Sequence, residues 1–334
     1  MNKFWKNKKV LVTGATGFIG SWLTESLVEN GSDVTILVNK SDPFKEDAIK
    51  HLKKKIHIIY GDIRNKNLIS KAVNKCEIIC HLAATTQVLY SIKNPEETLS
   101  INLWGTFNLL EGMRKSANKP FLIFVSTDKV YGEPIHLPIK EDHSLSAKSP
   151  YDASKVAADR LVYAYYTTYG INATILRWSN AYGGRDANML RVIPDFVNAV
   201  INDKPLVIRG SGKNIRDFLY VGDVVRAILS AGENRKITNG EVFNLGTNKP
   251  ISIEELARLV IKITGHDKAK PIILGKATPG EIDRQYLSFE KANKMLGWEP
   301  QVDLQTGLKI TLDWYKNNSW WKKVMGRVSK FHGI

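Results

Sequence analysis

The run Lys9-Val10-Leu11-Val12-Thr13-Gly14-Ala15-Thr16-Gly17-Phe18-Ile19-Gly20 constrains the fold of this chain more than any other stretch. A short apolar strand passes straight into three glycines, each separated by two residues, and an apolar-periodic helix follows through Trp22, Leu23 and Leu27 to a stop at Asn30-Gly31. Strand, glycine turn and helix in that order form the dinucleotide-binding unit of a parallel sheet. Gly14 permits the tight turn, Gly17 lets the backbone approach a pyrophosphate, and Gly20 lets the helix lie against the strand. Around Thr16, Phe18 and Ile19 the helix start then offers free N–H groups and the positive end of its dipole to the phosphates.

The pattern continues with strands expected at 34–38, 56–60, 77–82, 121–126 and 173–178, alternating with helical segments. That rhythm argues an α/β protein with a doubly wound parallel sheet. Cofactor contacts are expected where strands end at the carboxyl edge: Asn39, Asp62-Ile63, Leu82-Ala83-Ala84 and Ser126, with Asn102 on a helix at 95–116. The second strand ends Val38-Asn39-Lys40, without the acid that would grip a ribose 2′-hydroxyl, so both NAD and NADP remain open. Asp62 faces the adenine end or, alternatively, caps a helix starting at Asn65. Past 178 the pattern loosens into a smaller mixed α/β lobe with helices at 189–202, 253–264, 288–296 and 304–315. Residues 1–178 are therefore assigned to the dinucleotide-binding domain, with 214–246 returning to it, and 179–213 with 247–334 to a substrate lobe.

Two further stretches carry chemistry. In Tyr151-Asp152-Ala153-Ser154-Lys155, Tyr151 and Lys155 stand one helical turn apart on the same face. An ammonium beside a phenol favours the phenolate, so Tyr151 is expected to act as a base toward a hydroxyl. The fifth strand ends Ser126-Thr127-Asp128-Lys129, and polar side chains in a row at the end of a buried strand are costly unless solvent, substrate or partners satisfy them.

With 334 residues, 43% hydrophobic and 24% charged, the chain is expected to be globular, and no apolar run approaches the roughly 20 residues of a membrane span. The first 12 residues do not read as a signal peptide, and a cytoplasmic location is expected. Cys76 and Cys80 are too far apart along a strand to bridge, and without nearby His or further Cys they make no zinc site; no metal is expected. A net charge of +15 raises nucleic acid as a partner, but the cations are spread and no aromatic-interleaved basic motif accompanies them. A small anion such as a nucleotide diphosphate is served by the same field. The tail at 317–334, with Trp320, Trp321, Lys322, Lys323, Arg327 and Lys330, is expected to form a short basic amphipathic helix docked on the protein or on a subunit partner.

Taken together, Thr13 to Gly20, Gly61-Asp62-Ile63, His81-Leu82-Ala83-Ala84, Asn102 with Gly105-Thr106, Ser126-Thr127, Tyr151 with Lys155, Arg177 to Gly183, Arg216-Asp217-Phe218, Phe243 to Gly246 and Leu296-Gly297-Trp298 resemble the extended short-chain dehydrogenase/reductases of the nucleotide-sugar epimerase/dehydratase family. The resemblance covers nearly the whole length. It implies a nucleotide diphosphate sugar as substrate, a homodimer, Thr127 on the sugar 4-hydroxyl beside Tyr151, and Lys155 on the nicotinamide ribose. It also implies substrate contacts by Asn180, Arg191, Val192, Arg216 and Arg284. Asp128-Lys129 resembles the acid and base that follow this Thr in sugar 4,6-dehydratases of the CDP-glucose type, and of some acting on UDP-N-acetylglucosamine. There Lys129 would take the C5 proton and Asp128 would protonate the leaving C6 hydroxyl. Gly20-Ser21-Trp22-Leu23 and Gly183-Gly184-Arg185-Asp186 lean the same way, whereas Val130-Tyr131-Gly132 and Arg216 to Tyr220 are epimerase-like. The expectation is thus a 4,6-dehydratase favouring a CDP-glucose-like substrate, with a 4-epimerase as the alternative and a non-catalytic dinucleotide- or RNA-binding protein as the remote one.

Overall fold

The computed structural model describes residues 3–39, 45–265, 270–276, 282–318 and 321. Six strands, β1 (Lys9–Thr13), β2 (Asp33–Val38), β3 (His57–Tyr60), β4 (Ile78–His81), β5 (Phe121–Val125) and β6 (Ala173–Trp178), join Val242–Leu245 in one sheet. The order is Val242–Leu245, β6, β5, β4, β1, β2, β3, and every pairing is parallel. After β3 the chain crosses back to lay β4 on the other side of β1, which opens a crevice at the carboxyl ends of β1 and β4.

Both faces of the sheet are covered, which is why its strands read as continuous apolar runs. In β5, Phe121, Ile123 and Val125 pack against Leu23 and Leu27 of the first helix, α1 (Phe18–Glu29), and Val224 and Ile228 of helix Val221–Glu233. Leu122 and Phe124 face the opposite way, toward Ile69, Leu109, Leu110 and Val162. Each such side chain contributes roughly 1.5–3 kcal/mol on leaving water.

A second core lies beyond β6, where helices Val192–Ile201, Ile253–Ile263 and Leu304–Asn317 enclose Phe196, Leu256, Leu312 and Tyr315. Short strands line its cleft side: Asn180–Tyr182 pairs with Phe218–Tyr220, and Ile215–Arg216 lies between Ile251–Ser252 and Arg284–Gln285. The lobes meet at Gly183-Gly184. The Trp22 indole of α1 donates to the Gly184 carbonyl at 2.8 Å. From the other side the Trp314 ring leaves no room, since a Cβ on Gly184 would lie 2.4 Å from it.

One detail differs from the sequence expectations. The helix expected at 95–116 is interrupted: a π turn, Ser100–Trp104, separates Pro95–Leu99 from Gly105–Lys115. The amphipathic tail falls outside the described residues except at 317, 318 and 321, where Trp321 is buried and its indole donates to the Tyr315 carbonyl at 2.5 Å.

Candidate active site

The crevice continues into the second lobe as a cleft of about 1150 Å³. Its floor at one end is the glycine turn. Gly14 has φ 74°, and a Cβ there would stand 2.7 Å from the backbone of Leu82 and Ala83; a Cβ on Gly20 would stand 2.1 Å from the Gly14 carbonyl oxygen. β1, the loop after β4 and α1 can therefore approach this closely only with glycine in place. α1 begins at Gly17 with no side-chain cap, so its first amides are left for a ligand.

Asn39 and Asp62 line the far end of this half, with Thr16, Phe18, Ile19, Ile63, Leu82, Ala83 and Ala84 along it. Arg64 holds both carboxylate oxygens of Asp62, at 2.7 to 2.9 Å, and keeps its carboxyl below the ordinary range. The capping alternative for Asp62 is overturned: the helix Lys66–Val73 is capped by Asn65, whose side chain accepts from the Leu68 amide.

Asn102 was expected at the cofactor. It is buried in the π turn and is not among the residues lining the cleft. Its amide accepts from the Thr85 N–H at 2.7 Å and donates to the Thr85 carbonyl and to Ser154 Oγ. Asn102 thereby ties the loop after β4 to the helix that carries Tyr151. Nearby, His81 is wedged between the hydroxyls of Thr13 and Thr106, and burial lowers its pKa to about 3. Thr106 donates to the Asn102 carbonyl, so it accepts from His81 Nε2–H, and Nδ1 accepts from Thr13.

Tyr151 stands in the first turn of helix Pro150–Tyr169, which starts with Pro150 after a capping box between Ser149 and Asp152. The Ser91 hydroxyl accepts from the Tyr151 amide at 3.1 Å. Burial raises the phenol above its ordinary pKa, and the guanidinium of Arg191 is the strongest opposing influence. Lys155, expected beside the phenol, makes no hydrogen bond to it. Its buried ammonium donates to the Val125 carbonyl at 2.6 Å and lies 4.5 Å from the centre of the Phe124 ring. An ammonium out of water takes the nearest strong acceptor, and burial lowers Lys155 to about 8.

Thr127, Asp128 and Lys129 form the start of a tight turn at the end of β5, within the same cleft. Thr127 Oγ1 donates to Asp128 Oδ1 at 3.0 Å and accepts from the Lys129 amide at 3.3 Å. Asp128 Oδ2 and Ser126 Oγ are buried with no hydrogen-bond partner among the described residues. Tyr131 anchors the turn from below: its hydroxyl donates to Asn244, accepts from Arg177 at 2.7 Å, and Arg177 is paired with the buried Asp159.

On the second-lobe wall stand Asn180, Arg191, Val192 and Arg216. Arg191 pairs with Asp186 at 2.9 Å, and Arg216 donates to the carbonyls of Ile215 and Asp283. Arg284 is exposed and outside the cleft lining. Strand alternation is the reason: its neighbour Gln285 takes the inward direction. Gln285, which donates to the Asp128 carbonyl, and Ser91, which accepts from the Tyr151 amide, are supporting residues that the sequence reading passed over, because neither stands in a recognisable pattern.

A switch-point crevice with a glycine cradle, a buried Tyr and Lys one turn apart and an unsatisfied carboxylate define an extended short-chain dehydrogenase/reductase. A family model described as GDP-mannose 4,6 dehydratase matches residues 11–311, and the chain belongs to that family. A Methanocaldococcus jannaschii protein provisionally assigned as UDP-glucose 4-epimerase is 38% identical over 313 residues, which is 93% of this chain and 99% of that protein. The solved dTDP-glucose 4,6-dehydratase DesIV of Streptomyces venezuelae, with NAD and TYD bound, is 28% identical with a TM-score of 0.87, covering 95% of this chain and 99% of its own. UDP-glucuronic acid 4-epimerase of Bacillus cereus, solved with UDP-glucuronic acid and NAD, is 32% identical with a TM-score of 0.84, covering 92% and 99%. Relatives thus include both dehydratases and epimerases of nucleotide sugars.

Proposed function

We propose that this chain is an NAD-dependent nucleotide-sugar 4,6-dehydratase converting an NDP-hexose to its 4-keto-6-deoxy product. The observation that carries the reading is the pair after Thr127. Asp128 keeps one buried oxygen unpartnered, and Lys129, half-buried in the same wall, makes no ion pair among the described residues. A simple epimerase needs neither group.

The glycine cradle and the uncapped start of α1 suit a dinucleotide, which when bound would take a hydride from the sugar C4 and give it back at C6. Within the cleft, Tyr151 Oη takes the proton of the 4-hydroxyl while Thr127 Oγ1 orients it. Lys129 Nζ removes the C5 proton, Asp128 protonates the departing C6 hydroxyl so that it leaves as water, and Lys129 then returns a proton to C5. Arg191 and Arg216, with Asn180, hold the diphosphate from the second lobe. The Asp-Lys pair favours a CDP-glucose-type substrate. The exposed Trp104, 57% accessible, and Tyr163 on neighbouring helices support a homodimer through that face.

The test is mass spectrometry of CDP-, dTDP- and UDP-glucose and UDP-N-acetylglucosamine after incubation with protein and NAD in deuterated water. Loss of one water with deuterium at C5 is expected, and Lys129→Met should keep C4 oxidation but lose water elimination by about 100-fold or more. An epimer of unchanged mass would overturn the reading. That second outcome, a 4-epimerase, is supported by likeness to the M. jannaschii and B. cereus proteins.

A further inference from the structure

Gln285 occupies an unusual place: it belongs to the second lobe, yet its side chain ends beneath the turn that follows β5. The Arg284–Gln285 strand runs parallel to Ile215–Arg216, with Gln285 directly opposite Arg216. The side chain is fully buried. Its Nε2 donates to the Asp128 carbonyl at 3.0 Å and, more loosely, to the Gly132 carbonyl at 3.5 Å. These are the first residue of the Asp128–Tyr131 turn and the glycine that closes it in the left-handed region, at φ 61°. Gln285 Oε1 is buried with no hydrogen-bond partner among the described residues.

An amide satisfied on one end only is a poor structural element, because its orphaned oxygen offsets much of what its donor contributes. Leu or Met would fill the same volume without that penalty. What the amide does that an apolar residue cannot is fix the height of the Asp128 carbonyl, and so the direction in which the Asp128 carboxyl leaves the backbone. The turn is independently anchored by Tyr131 through Asn244 and Arg177, which belong to the central sheet. It is therefore pinned twice, once from each lobe.

We propose that Gln285 is a positioning residue that couples the nucleotide-holding strand at Arg216 to the turn bearing Thr127 and Asp128. A ligand that settles against Arg216 thereby presses the reacting turn into register through one hydrogen bond. This rests on the reading that the turn carries reacting groups. It does not depend on whether the product is dehydrated or epimerised, since Thr127 serves both.

The experiment compares Gln285→Leu and Gln285→Glu in the full chain with NAD and the nucleotide sugar that the wild type turns over. With the Tyr131 anchor intact, Gln285→Leu should fold, keep KM within about twofold and lose about 10- to 100-fold in kcat. Gln285→Glu can donate to the Asp128 carbonyl only when its carboxyl is protonated, so its kcat should climb toward that of wild type as pH falls, a limb absent from Gln285→Leu. Thermal midpoints measured at each pH separate this from unfolding. Unchanged kcat in Gln285→Leu, losses that track the thermal midpoint, or matching pH profiles for the two variants overturn the proposal alone. A wild type that turns over no nucleotide sugar overturns the catalytic reading of the turn and this proposal with it.

Discussion

Tyr151 and Lys155 share a helix face, but they do not share a hydrogen bond. The phenol is held neutral by burial, and the ammonium is spent on the Val125 carbonyl. Tyr151→Phe should lower kcat by about 10²- to 10⁴-fold while NAD affinity, measured by titration, stays near wild type. Lys155 also marks a pH dependence. Its folded pKa, about 8, lies below the unfolded value of 10.5, so between those values the unfolded chain binds more protons and wild-type stability rises with pH. Lys155→Met lacks this term. The stability difference between the two, read from denaturant midpoints, should therefore shift in favour of wild type from pH 8 to 10.5; a difference flat with pH would show that the ammonium is not buried. Residue identity was legible here from spacing and strand ends, but direction was not. Asn102 and Arg284 carry side chains suited to ligands, and only the tertiary contacts show that one braces the Thr85 loop and the other faces solvent.

At the scale of elements, α1 shows how a local sequence rule becomes a packing rule. Gly20 is needed less for its own dihedral angles than because any Cβ would meet the Gly14 carbonyl at 2.1 Å. Gly20→Ala should force α1 away from β1, costing about 1–3 kcal/mol and weakening NAD binding with it; wild-type affinity by titration would show that the turn does not cradle the cofactor. The strands of the main sheet were legible because burial on both faces leaves an unbroken apolar run, as in Phe121–Val125. The helix of Tyr151 was legible from the Tyr151 to Lys155 stretch; the structure adds its caps, the Ser149–Asp152 box before Pro150 and Gly170 at the far end, and replacing Ser149 with Ala should cost about 1 kcal/mol by thermal denaturation. The π turn at Ser100–Trp104 left no such mark. It arises from a tertiary demand, the placing of Asn102 on Thr85 and Ser154, which no window of sequence contains.

At the scale of the whole molecule, contacts join the two lobes on both sides of the cleft. The Trp22 indole on the Gly184 carbonyl and the Trp314 ring behind it hold the Gly183-Gly184 turn between the lobes, and Gln285 reaches back across the same boundary. The homodimer inferred from Trp104 belongs at this scale. Trp104→Glu should shift the mass measured by light scattering from two chains to one, and an unchanged mass would place the interface elsewhere. The order of strands also has a consequence for synthesis. Val242–Leu245 closes the edge of the sheet against β6, yet residues 179–241 must be translated first. At roughly 5–20 residues per second the ribosome leaves that edge open for on the order of several seconds. All six residues of β6 are buried in the finished protein, so for that interval the nascent chain displays an apolar strand with unpaired backbone. How long β6 lacks its outer partner during synthesis is therefore set by the position of one late strand in the message.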